Sequence, residues 1–230
     1  MKRYTTLLLD VDETLLDFKK AEAVSLKNAL IRAGLTPTDE IIERYHQIND
    51  SLWKALERAE IEKEEIKTKR FELFYEEFGF EGDPIETAGM YVYELSKAGF
   101  LLDGAREFLD KIQNEYDVYA VTNGIMNVQQ GRFAAADINK YFKDVFISER
   151  VGYSKPDKRY FDYVLSAIPE KDTSKVIVIG DSLTSDIKGA CNAGLDSCWF
   201  NPHEAVCNFD FSPTYVARGY SDILNIIENG

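Results

Sequence analysis

Asp10 and Asp12 stand two residues apart in LLLDVDETLLDF, directly after a run of leucines. A second acidic pair, Asp181 and Asp186, lies in GDSLTSD, directly after VIVI. Between them come Thr122-Asn123-Gly124, after VYAV, and Lys155, in VGYSKP. Crowded carboxylates repel each other unless a cation sits among them. Hard oxygen donors of this kind suit Mg2+, which binds through a few carboxylates and keeps some of its waters. A lysine beside them offsets charge and can hold a phosphoryl oxygen. The Thr122 hydroxyl and the amides of Asn123 and Gly124 offer neutral donors to the same group. Taken singly, each has an ordinary use. Aspartates cap helices, Thr-Asn-Gly ends a strand in a turn, and a lysine before proline sits in a surface loop. Their shared placement, after short apolar runs, is what points to chemistry.

Apolar runs bounded by charge read as buried strands. They fall at residues 4–9, 118–122, 145–147, 175–179, 197–200 and 214–217. Helical patterns at 105–114, 129–136, 158–168, 186–193 and 221–228 separate or follow them. Strands that alternate with helices imply a parallel sheet covered on both faces. In such a sheet, ligands bind outside the carboxyl ends of the strands, where all the residues above are found. One block differs. From residue 21 to 98 no strand pattern occurs. Ile41, Tyr45, Ile48, Leu52 and Leu56 mark one helical face, and Ile66, Phe71, Phe74 and Phe78 mark another. Breaks at Gly34 with Pro37, and from Gly79 to Pro84, divide the block into four helices, 20–33, 39–59, 63–78 and 85–98. The expected class is therefore α/β: a Rossmann-like parallel sheet core with an inserted, all-helical cap of four helices. Residues 1–17 and 100–230 form the core domain and residues 18–99 the cap.

The bulk properties narrow the field. The chain has 230 residues, 45% of them hydrophobic, and a formal net charge of −13. An acidic chain lacks the basic surface that nonspecific nucleic-acid binding needs. No apolar stretch nears the ~20 residues that cross a bilayer, and the N-terminal run is too short for a signal peptide. The three cysteines, Cys191, Cys198 and Cys207, have no framework spacing. A cytoplasmic protein with no nucleic-acid or membrane partner is expected.

DVDETL, TNG, KPDKRYFDY and GDSLTSDIKGA, in that order, resemble the four motifs of the haloacid dehalogenase (HAD) superfamily, and the helical block falls where such proteins carry a helical cap. Within it, TNGIMNVQQGRF, VFISERVGYSKPDKRYFDY and AGLDSCWFNP are similar to the pyrimidine-type 5′-nucleotidases. The resemblance implies a phosphatase. Asp10 would be the nucleophile and Asp12 the acid and base. Thr122, Asn123, Gly124 and Lys155 would hold the phosphoryl group. Mg2+ would be held by Asp10, the Asp12 backbone carbonyl, Asp181 and Asp186. Dehalogenases of the superfamily lack an acid two residues after the nucleophile, so Asp12 argues for phosphate chemistry. Glu13 departs from the Gly or Asp that is commoner in relatives. The implied substrate is a small phosphate ester, a nucleoside monophosphate for choice, and the protein would act as a monomer or weak homodimer.

Substrate selection would fall to the cap, with Phe18, Trp53 and Arg70 as candidates to contact a base or sugar. Packing is the ordinary use of Phe18 and Trp53, and a solvated helix face that of Arg70. His46 and His203 show no partner pattern, and Trp199 reads as core. A phosphatase of sugar phosphates would use the same machinery. A phosphomutase would need a long-lived aspartyl-phosphate. A phosphoacceptor module of the receiver type uses similar residues, but its aspartate follows a middle strand and no long cap interrupts it. A catalytically inert binding protein would not need the full set of side chains.

Overall fold

The computed structural model describes residues 3–58 and 60–229. Six parallel strands make one sheet: β1 (Thr6–Leu9), β2 (Asp117–Thr122), β3 (Asp144–Ile147), β4 (Val176–Gly180), β5 (Asp196–Phe200) and β6 (Tyr215–Ala217). Between β1 and β2 run α1 (Phe18–Arg32), α2 (Asp39–Glu57), α3 (Lys63–Phe78), α4 (Pro84–Leu95) and α5 (Ala105–Ile112). The later connections carry α6 (Met126–Ala136), α7 (Ser148–Val151), α8 (Lys158–Ala167) and α9 (Lys188–Ala193), and α10 (Tyr220–Asn229) follows β6. Two compact units result. Met1–Asp17, Leu101–Met126 and Asp137–Gly230 form one; Phe18–Phe100 and Asn127–Ala136 form the other. None of the helices, among the described residues, is long and apolar enough to cross a membrane.

In the first unit the strand order is β3-β2-β1-β4-β5-β6. The chain builds leftward from β1 to β3 and then returns to the right of β1. This reversal makes β1 and its neighbours the switch point at which open α/β sheets bind ligands. Leu9 pairs with Ala120 of β2 on one side and Ile179 of β4 on the other. The three carboxyl ends thus sit level. The pleat sends Leu8 to one face of the sheet, where it packs with Val121, Phe146, Tyr160, Phe161 and Val178. α5 and α10 pack together, with Phe108 stacked on Tyr220 at 5.0 Å between ring centroids.

The second unit is built by capping and apolar stripes. Thr38 caps α2 by accepting from the Ile41 N–H, a Glu62/Glu65 capping box opens α3, and Gly79 closes it at φ +63°. Asp83 caps α4, with Pro84 at its first position. Tyr45, Phe71, Phe74 and Tyr91 interlock, with ring centroids 5.0 to 5.4 Å apart between Tyr45 and each of the others.

Two expectations need correction. The helix that follows Thr122-Asn123-Gly124 was expected within the core domain, but from Asn127 onward it joins the helical unit, and Phe100 does too. The reason is close packing of backbones. A Cβ on Gly131 would lie 2.3 Å from the Ser96 carbonyl oxygen, and one on Gly99 would lie 2.5 Å from the Ala136 nitrogen. Only glycine allows α6 to approach the end of α4 so closely. The helix expected at 186–193 begins instead with a π-helical turn, Leu183–Ile187, that leads into α9.

Candidate active site

β1 delivers Asp10. The Asp10 N–H still bonds the Ile179 carbonyl at 2.8 Å, so the ladder carries one residue beyond the strand and fixes the side chain at the sheet edge. The chain then turns sharply. The amides of Leu15 and Leu16 both bond the Val11 carbonyl at 2.8 Å. Glu13 takes a left-handed conformation with φ +57°, where glycine is the easy residue.

Lys155 reaches the same point from the loop before α8. It is 2% exposed, and all three ammonium protons have acceptors. They are Asp10 Oδ1 at 2.7 Å, Asp186 Oδ1 at 2.6 Å and the Val121 carbonyl at 2.9 Å. The Asn123 side chain holds the lysine backbone from both sides. Its Nδ2 donates to the Lys155 carbonyl at 2.8 Å, and its Oδ1 accepts from the Lys155 N–H at 2.9 Å. Sequence reasoning gave Asn123 a backbone role at a phosphoryl group. In the structure its side chain is committed to placing Lys155. The Gly124 N–H likewise donates to the Thr122 hydroxyl at 3.0 Å.

Asp181 and Asp186 come from the turn after β4. Asp181, Asp186 and Asp10 offer oxygens that all lie within 4.8 Å of one another. Asp12, two residues past Asp10, contributes no carboxylate oxygen to that group. Thr14 ties the acids together. Its hydroxyl lies 3.2 Å from Asp10 Oδ2 and 3.5 Å from Asp181 Oδ1, and it accepts from the Asp181 N–H at 3.1 Å. The Thr14 carbonyl in turn accepts from the Tyr220 hydroxyl at 2.7 Å.

Three supports escaped sequence reasoning. Trp199 donates its indole N–H to the Asp181 carbonyl at 2.8 Å, so it is more than core. Ser185 faces Asn123 at 3.4 Å. Gly180 makes room for Asp186: a Cβ there would lie 2.3 Å from Asp186 Oδ2. The glycine just before Asp181 in GDSLTSD was the available signal.

The electrostatics follow from burial. Removal from water, then the charge of Asp186, pushes Asp10 up to about 7, against the pull of Lys155; Asp12 adds to the rise. Burial, then Asp10 and Asp186, holds Asp181 well above the usual carboxylate range. Burial draws Lys155 down, but the charges of Asp10 and Asp186 outweigh it and leave the lysine more basic than usual. Two buried acids and a half-buried third, served by one ammonium, are short of positive charge. The donor set, oxygen only and closely spaced, fits a small divalent cation such as Mg2+.

The structure thus brings together Asp10, Lys155, Asp181 and Asp186, with Thr122, Asn123 and Gly124 beside them. Phe18, Trp53 and Arg70 belong to the helical unit. Phe18 is half-buried, with the Arg132 guanidinium 5.4 Å from its ring centroid, and Trp53 is half-buried too. Arg70 is not on a solvated face: it is 1% exposed and donates to Asn49 Oδ1 at 3.1 Å. His46 does have a partner, the buried Glu22, at 2.5 Å. The two lie 24 residues apart in sequence on different helices, so spacing could not reveal the pair.

Comparison with known proteins adds independent findings. The model of the haloacid dehalogenase-like hydrolase family matches residues 4–194. The HAD-hydrolase YfnB of Bacillus subtilis is 38% identical over 227 residues, which cover 99% of this chain and 97% of that protein. Its magnesium-bound crystal structure, described as revealing interdomain movement, has a TM-score of 0.93 and covers 98% of this chain and 99% of that one. The pyrimidine 5′-nucleotidase PynA of Streptococcus pneumoniae is 39% identical, covering 98% of this chain and 95% of that protein. A glyceraldehyde 3-phosphate phosphatase of Pyrococcus furiosus is 30% identical, covering 87% and 82%.

Proposed function

The chain belongs to the haloacid dehalogenase-like hydrolases, and on that footing we propose that it is a Mg2+-dependent phosphomonoesterase. Its substrates would be 5′-nucleotides, pyrimidine or noncanonical nucleoside monophosphates, and its intermediate an aspartyl-phosphate. The observation that carries this reading is the setting of Asp10. Its carboxylate lies in a buried group with Lys155 on one oxygen and an acidic cation site beside it, while Asp12 follows two residues later.

In this reading Asp10 attacks phosphorus in line. The bond to the leaving oxygen breaks, and Asp12 gives that oxygen its proton. The Asp12 carboxylate then takes a proton from water, which attacks the aspartyl-phosphate and frees Asp10 and inorganic phosphate. Lys155 holds a phosphoryl oxygen from a position that Asn123 fixes, and Thr122 with the 123–124 backbone borders the same group. Mg2+ would be held by Asp10, Asp181, Asp186 and the Asp12 carbonyl, and would supply positive charge facing the phosphoryl oxygens.

The nucleotide assignment draws on the likeness to the pyrimidine 5′-nucleotidase PynA. A second reading, a phosphatase of sugar phosphates, draws on the likeness to the glyceraldehyde 3-phosphate phosphatase. Phosphate release from UMP, CMP, GMP and glyceraldehyde 3-phosphate separates them. The nucleotidase reading expects kcat/KM for UMP or CMP at least about tenfold above the triose phosphate, with activity lost in EDTA and restored by Mg2+. A preference for the triose phosphate would refute it, and undiminished activity in EDTA would refute the metal.

A further inference from the structure

Asp181 is held differently from the other two acids of the cation site. Asp10 and Asp186 each accept from the Lys155 ammonium, at 2.7 and 2.6 Å. Asp181 does not. Among the described residues its carboxylate receives one hydrogen bond, from the Thr14 hydroxyl at 3.5 Å. That proton is shared with Asp10 Oδ2, which lies nearer at 3.2 Å. The carboxylate is thus weakly committed within the protein. The backbone that carries it is firmly committed.

β4 ends at Gly180, which pairs with Trp199 of β5, so Asp181 is the first residue past the strand. Side chains grip it there. The Asp181 N–H donates to Thr14 Oγ1 at 3.1 Å, and its carbonyl accepts from the Trp199 indole N–H at 2.8 Å. The first bond pins the peptide plane before the Asp181 Cα and the second pins the plane after it. Each plane is rigid, so rotations of the side chain are what remain free. Both grips lead back into packed rings. Trp199 is 5% exposed. Thr14 is anchored through its carbonyl, which accepts from the Tyr220 hydroxyl at 2.7 Å. Tyr220 stacks on both Phe108 and Phe200, with ring centroids 5.0 and 5.1 Å apart. A buried indole N–H or phenol ordinarily finds an acceptor somewhere. Here both acceptors lie in the turns that carry the acids, one after β1 and one after β4. Every residue of this chain of bonds belongs to the first unit.

We propose that Trp199 and Tyr220 are positioning residues that set the Asp181 carboxylate for a small divalent cation. This rests on the Mg2+ reading above and adds two residues to it. Mg2+ demands near-octahedral oxygen ligands at about 2.1 Å, whereas Ca2+ accepts variable numbers of them at about 2.3–2.6 Å. A ligand whose backbone is pinned on both sides favours the stricter ion. Loosening that backbone should therefore weaken Mg2+ more than Ca2+. A general loss of structure or of negative charge would weaken both alike.

The test is calorimetric titration of the metal-free protein with Mg2+ and, separately, with Ca2+. Trp199→Phe keeps an aromatic ring and removes the donor. It should raise the Kd for Mg2+ at least about tenfold and that for Ca2+ by no more than about threefold. Tyr220→Phe keeps the stack and removes one hydroxyl. Acting through Thr14, it should raise the Mg2+ value by about 3- to 10-fold with the same bias between the ions, and it decides the matter if Trp199→Phe does not fold. A Mg2+ Kd within about twofold of wild type in the deciding variant, even with a lowered Tm, would overturn the proposal. So would equal losses for the two ions. A wild type that binds no Mg2+ would instead refute the metal reading, and this proposal with it.

Discussion

Replacing Lys155 by methionine isolates the charge balance of the site. The change keeps most of the side-chain length and removes the ammonium, and with it the bonds to Asp10 at 2.7 Å, Asp186 at 2.6 Å and the Val121 carbonyl at 2.9 Å. Asp10, Asp181 and Asp186 then remain within 4.8 Å of one another with no lysine among them. Taking one partner from a buried ion pair typically destabilises by about 3–5 kcal/mol. In a chain of this length that corresponds to a fall in Tm of roughly 6–20 °C. The pH dependence has a definite sign. Asp10 is already raised to about 7 with Lys155 opposing the rise, so it rises further without the lysine. A carboxyl with a raised folded-state value favours the fold at low pH, and that contribution is lost as pH climbs through the folded value. The deficit of the variant should therefore be small near about pH 5 and grow through about pH 7 to 8. Mg2+ should narrow it, because a cation replaces the missing charge and binds only the folded site. Thermal unfolding of both proteins by circular dichroism, at both pH values, in EDTA and in Mg2+, reads all of this. A variant within about 1 kcal/mol of wild type at high pH in EDTA, or a deficit that ignores pH, would refute the reasoning.

Other substitutions probe the site from different sides. Asp10→Asn should lower turnover at least about 1,000-fold with the far-ultraviolet spectrum unchanged; substantial remaining activity would remove Asp10 as the nucleophile. Gly180→Ala should lower activity and also stability, the latter by about 1–3 kcal/mol, because the added methyl would meet Asp186 Oδ2 at 2.3 Å; an unchanged melting curve and rate would contradict that packing. Glu13→Gly should stabilise by up to about 1 kcal/mol in urea unfolding, since it relieves a left-handed residue at φ +57°; a clear loss of stability would show that the Glu13 side chain earns its place.

The strands, the inserted helices and the residues at the carboxyl ends of the strands are legible in the order of residues alone. Strand and helix periods are local, and a parallel sheet places the residues after each strand along one edge whatever the loops do. That is why Asp10, Lys155, Asp181 and Asp186 were legible across more than a hundred residues. Tertiary structure decided what no period encodes. α6 joins the helical unit because Gly131 and Gly99 let backbones touch. Asn123 clamps the Lys155 backbone, Trp199 holds the Asp181 carbonyl, and Glu22 meets His46. Arg70 looked like a surface residue on an amphipathic helix, yet the neighbouring helices bury it with two donors unused. A side chain's partners across helices depend on how whole elements pack, and one-dimensional spacing carries no record of that.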